Sequence, residues 1–185
     1  MFCKNILRMH KKENLKNNLI LLESKRETLF QDLFRFSNTE LNEEYIKNKW
    51  SINKHLYHLW LAELGTEKYI KKKTFYPETI EKVNLKTKVF HIFFAKIISI
   101  NFKFKAPKSL SIFPDKIDIR ELNKNWSKSR NSFMLLIDEI NDNLIEKGIF
   151  NHRMIGRINL KMTLEFFNFH YNNHLNSINK LIKLI

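Results

Sequence analysis

One cysteine, three glycines and three prolines are all that this 185-residue chain holds of the residues that staple, turn or break a backbone. The lone Cys3 has no partner for an internal disulfide, and no CxxC or paired cysteines offer a thiolate zinc site. Nothing therefore argues for an oxidising compartment, and the cytoplasm is the expected location. Scarce glycine and proline disfavour a fold of many short strands joined by tight turns, and favour long helices built from the abundant Leu, Ile, Lys, Asn, Glu and Phe. A membrane-length apolar run is missing too. The most apolar stretch, Val89 to Ile100, contains His91 and Lys96 and is about half the roughly 20 residues that span a bilayer, so it reads as buried helix. The basic N-terminus has neither the apolar h-region nor the small-residue cleavage site of a secretory signal.

The length fits one domain with a real core. The expected organisation is a mobile N-terminal segment over residues 1–12 and a single helical domain over residues 13–185. Against 19 acidic residues stand 33 lysines and arginines, a formal net charge of +14. Such an excess attracts phosphates, nucleic acid or anionic lipid. The lysines are scattered rather than clustered, however, and scattered charge reads first as a solvated surface.

Apolar residues recur at helical spacing in five stretches. Leu15, Leu19, Leu22, Leu29, Leu33 and Phe36 predict a helix from about Glu13 to Phe36, followed by capping and turn residues at Ser37 to Glu40. Ser51 is an N-cap candidate for a second helix to about Lys73. A third covers about Thr79 to Ile100, and Pro107 and Pro114 mark a long connection from Phe102 to Pro114. A fourth runs from about Asp118 to Glu146, with Gly148 where a left-handed C-terminal residue is expected. Asn159 can cap a last helix to about Leu184.

Chemistry concentrates in the histidines. His170 and His174 lie four apart in the last helix, one turn from each other on the stripe Leu160, Leu164, Phe167, Ile178, Leu181 that faces the core. Two buried imidazoles need partners for their nitrogens, and a shared metal ion satisfies both at once, as hydrogen bonds to backbone or Tyr171 also would. HxxxH without the Glu of HExxH is an unspecific motif. A facing helix must supply a third ligand, and the second helix offers His55 and His58. Its apolar centre, Ile52, Leu56, Leu59 and Leu64, lies nearer to His55, although Tyr57, Trp60 and Leu61 make that helix apolar almost all round.

Lys49 to Leu59 (KWSINKHLYHL), followed by Glu63, resembles the WSxxEHxxHLxxxE segment of DinB/YfiT-like proteins. Asn151 to Gly156 and Thr163 to Leu175 resemble that family's HPxxGxL ending with HxxxHLxQI. The resemblance implies an all-α, four-helix bundle with an additional helical segment and a long connection before the fourth predicted helix. It further implies a metal site of His58, His170 and His174, choosing His58 over His55. Lys54 stands where the family has an acidic residue, Arg153 where it has Pro and Ser177 where Gln is common.

Three neutral imidazoles leave Zn²⁺ or Ni²⁺ its full charge and an open position, which lowers the pKa of bound water or thiol. Such an ion can generate hydroxide for hydrolysis, act as a Lewis acid or hold a thiol as thiolate in an enzyme acting on a small molecule; the resemblance implies the last, an S-transferase using a low-molecular-weight thiol. Glu63 is a weak candidate for a general base and otherwise a helix carboxylate satisfied by lysine or arginine. The rival expectation is a non-enzymatic stress-response bundle whose basic surface recruits nucleic acid or another acidic partner. A homodimer fits a helical bundle, though no seam in the sequence compels one. Of the other histidines, His152 is expected in the loop that bends into the last helix, His91 packed in the third helix and His10 near a mobile end. Trp50, Trp60 and Trp126 read as core or helix-start aromatics rather than a base-stacking platform.

Overall fold

The computed structural model describes the backbone of residues 2–99 and 110–185 and the side chains of residues 10–93 and 110–185. It is mostly helical. The helices are α1 (Phe2–Leu33), α2 (Asn38–Asn42), α3 (Ile52–Thr74), α4 (Leu85–Ser99), α5 (Ile119–Glu139) and α6 (Leu160–Ile182). One antiparallel hairpin, β1 (Phe150–His152) with β2 (Gly156–Ile158), precedes α6.

The helix starts follow from side-chain caps. Each cap oxygen takes one of the amide protons that the first turn leaves without a partner. Ser51 accepts from Lys54 N at 3.3 Å, Asp118 from Glu121 N at 2.8 Å and Asn159 from Met162 N at 2.9 Å. Ser37 and Glu40 form a reciprocal capping box on the short α2. Lys71, Lys72 and Lys73 lie in the last turn of α3, where positive charge complements the helix dipole.

Helices α1 and α3 each pack against both α5 and α6, giving a four-helix arrangement, while α4 packs outside it on α6 and β2. Two apolar clusters fill the interior. One gathers Leu22, Ile70, Phe133 and Phe167; the other gathers Leu29, Leu59, Trp126 and Tyr171. On α1, α3 and α5 a buried charged residue falls between members of the two clusters: Arg26, Glu63 and Arg130. Glu63 accepts Arg130 Nε at 2.6 Å, Arg130 Nη2 at 2.7 Å and Trp126 Nε1 at 2.8 Å. Arg26 donates to both oxygens of Glu23 and to Asn123, and Tyr171 donates to the Lys25 carbonyl at 2.9 Å. A charged layer thus crosses the bundle between two oily halves. Its groups are tolerated because opposite charges pair within it, although Arg130 Nη1 makes no hydrogen bond and lies 3.8 Å from Glu23.

Several boundaries differ from the sequence reading. Helix α1 begins at Phe2 rather than near Glu13, and Lys12 donates to the Asp138 carbonyl at 2.8 Å. Helix α5 stops at Glu139 rather than Glu146, because Asn141 turns its side chain onto Asn143 N and starts a 3₁₀ turn at Asp142–Leu144. Gly148 has no left-handed backbone. It is needed for close approach, since a Cβ there would lie 2.8 Å from Arg157 Cβ. The left-handed glycine is Gly156, at φ +90° in the hairpin turn.

Residues 79–84, expected to begin the third helix, instead hold the end of the 3₁₀ turn Pro77–Thr79 and a bridge from Lys82 to Lys147. Of the apolar run expected to form a buried helix, residues 94–100 lie outside those whose side chains are described; before them Thr87 and His91 face inward, whereas Leu85, Val89, Ile92 and Phe93 are exposed. Of the long connection, residues 102–109 with Pro107 lie outside the described residues, and residues 111–117 form neither helix nor strand. No helix among the described residues is long and apolar enough to cross a membrane.

Candidate metal centre

Ser51 fixes the start of α3, and four and seven residues later stand His55 and His58, on one face of the helix. Asn159 does the same for α6, which carries His170 and His174. Because α3 and α6 are neighbours, the two histidine pairs meet. His58, His170 and His174 each offer a ligand atom, and all three atoms lie within 4.8 Å of one another. Among the described residues, theirs is the one such group of His, Cys, Asp or Glu side chains. The ring centroids form a nearly even triangle with sides of 5.0, 4.9 and 4.7 Å.

His58 Nδ1 lies 2.8 Å from the Leu110 carbonyl oxygen, which can only accept. The proton of the neutral ring therefore sits on Nδ1 and the lone pair on Nε2. That Nε2 faces His170 Nε2 at 3.1 Å. Metal–nitrogen bonds of about 2.0–2.1 Å place two ligands of one ion about 2.9 Å apart at right angles and about 3.3 Å apart in a tetrahedron. The observed pair lies inside that range, so these two nitrogens fit a first-row divalent ion, and His174 offers a third ligand atom within 4.8 Å of both.

Burial keeps the imidazoles uncharged. It pushes His170 down to about 3, with His58 and His152 adding like-charge repulsion, and it pushes His174 well below the usual histidine value. His58 is lowered by burial too, against the opposing pull of the Leu110 carbonyl. Neutral rings present the lone pairs that metal capture requires. Aromatic rings clamp them: Trp50 stacks on His174 at 14° and meets His58 at 5.0 Å, and Phe166 stacks on His170 at 18°. Trp50 also touches Phe113, which touches Tyr57, extending an aromatic wall from the centre.

The remaining candidates separate. His55 lies outside the three-histidine group and contacts His174, Nδ1 to Nδ1, at 2.8 Å. Glu63 has both oxygens committed to Arg130 and Trp126. His152 accepts from Met154 N and Ile155 N at 3.2 Å each, closing the hairpin turn, and burial lowers it to about 4. His91 pairs with Glu165 at 2.9 Å, a bond that holds the Glu165 carboxyl below its usual range. His10 is exposed on α1. Trp126 is core, and Trp50 directly precedes the α3 cap. Lys54, where the resemblance has an acidic residue, pairs with Glu44 at 2.5 Å.

Sequence reasoning did not reach the Leu110 carbonyl, Phe166 or Glu165. Only Phe166 carried a signal, its position one turn before His170. No family model, curated protein or solved structure matches the chain.

Proposed function

We propose that His58, His170 and His174 hold Zn²⁺ or Ni²⁺, and that the chain is a metal-dependent enzyme of the DinB-like kind, a thiol-dependent S-transferase or hydrolase acting on a small molecule. The observation that carries this reading is the convergence of three uncharged imidazoles from α3 and α6, His58 buried and His170 and His174 half-buried, with two Nε2 atoms 3.1 Å apart. The two histidine-bearing segments, their order along the chain and the four-helix arrangement support the DinB-like assignment.

An ion held by His58, His170 and His174 would supply Lewis acidity able to activate a water or a thiol. The protein's own part is positioning. The Leu110 carbonyl fixes the tautomer of His58, and Trp50 and Phe166 hold ring planes and keep bulk water off the ligands. The Trp50, Phe113 and Tyr57 rings offer an apolar wall to the uncharged part of a substrate.

Elemental analysis of untagged protein purified without chelator tests the reading. About one Zn or Ni per chain, lost in His58→Ala, is the expected result and justifies assays of thiol transfer and hydrolysis. Protein that carries no metal and takes up neither added ion would overturn it.

A further inference from the structure

We infer that His55 is a positioning residue of this centre: its imidazole holds Nδ1 of His174 and so leaves Nε2 of His174 to the ion. The inference rests on the metal-binding reading above and deepens it. His55 and His58 share a face of α3, yet their rings do different things. The 2.8 Å between His55 Nδ1 and His174 Nδ1 is a hydrogen-bond distance, shorter than the about 2.9–3.3 Å that separates two ligands of one ion.

A hydrogen bond between two neutral imidazoles needs one N–H and one lone pair. His58 shows the pattern this centre uses: Nδ1–H donates to an outer acceptor, and Nε2 turns its lone pair inward. On His174 the same pattern makes Nδ1–H the donor to His55 Nδ1 and frees the Nε2 lone pair, with the His55 proton on its own Nε2. The opposite tautomer puts a proton on His174 Nε2 and leaves no lone pair there, so binding of the ion selects the first. Trp50 fixes the pair by stacking flat on His174 and meeting His55 edge-on at 5.5 Å.

The test is a Co²⁺ titration of the metal-free full chain, followed by visible absorption, for wild type, His55→Leu and His55→Asn. Thermal unfolding of each metal-free protein reports on the fold. Losing an outer partner of a ligand typically weakens metal binding 10- to 100-fold. His55→Leu, which fills the space but accepts nothing, is expected to weaken Co²⁺ binding by about that factor and to alter the Co²⁺ spectrum, with stoichiometry retained. His55→Asn, whose side-chain oxygen can take the place of Nδ1, is expected to restore much of the affinity; a packing role would instead favour Leu over Asn. Wild-type affinity and spectrum in His55→Leu would overturn the inference. Complete loss of the ion from a folded His55→Leu would overturn it too, by making His55 a ligand. Failure of the wild type to bind Co²⁺ or Zn²⁺ sinks the metal reading beneath it and is distinguished by that control.

Discussion

Glu63 sits five residues after His58 on the same helix, and its carboxylate belongs to the charged layer. A buried guanidinium deprived of its carboxylate is left uncompensated, which typically costs about 3–5 kcal/mol. Glu63→Ala should therefore lower the free energy of unfolding by about that amount in urea, through the stranded Arg130, while metal content per folded chain stays at the wild-type level. Metal loss without loss of stability would move Glu63 into the centre. At this scale the sequence offered His55 and His58 as rivals for one role. The fold gives them different roles, because three residues along a helix leave two side chains on one face but shifted by about 4.5 Å along the axis and about 60° around it. No spacing rule indicates which ring meets which partner across a helix interface.

Helices α3 and α6 carry the whole centre, and each starts on a single side-chain cap. Removing such a cap costs about 1 kcal/mol, or about 2–4 °C in a domain of this size. Ser51→Ala and Asn159→Ala should each lower the melting temperature by about that much in calorimetry. A much smaller effect would mean that packing rather than capping fixes the helix register. Both starts were legible in the sequence, since a Ser or Asn before an apolar-periodic run is a local signal. The end of α5 was not, because apolar residues continue through Ile140, Leu144 and Ile145 and simply change element there. On α4 the apolar pattern reads as core, yet among the side chains described only Thr87 and His91 turn inward.

For the molecule as a whole, half-buried, desolvated histidines set a sign for stability against pH. His170 is lowered to about 3, and His55 and His152 to about 4, against about 6.5 in an unfolded chain. Between these limits the unfolded chain binds more protons than the folded one, so stability rises with pH and is lost as pH falls below about 6.5. Glu165 and Asp118, whose folded values are depressed, lose their contribution only at lower pH, below the ordinary carboxylate range. Urea unfolding of the metal-free protein should therefore show stability falling from pH 7 to pH 5, roughly the histidine window, with a shallower fall in His170→Gln. A flat profile over that window would mean that these imidazoles are not buried uncharged.

The sequence by itself determined the helical class, the starts of α3, α5 and α6, and two histidines one turn apart on a core-facing stripe. Those features depend on neighbours within a few residues, where capping and periodicity act. Only the tertiary structure decided which helix faces α6, that His58 joins the triangle while His55 binds its edge, and that the Leu110 carbonyl, in the connection before α5, meets His58 and sets a proton. These are contacts between residues 52 to 119 positions apart. They are fixed by how whole helices pack, which no local pattern encodes.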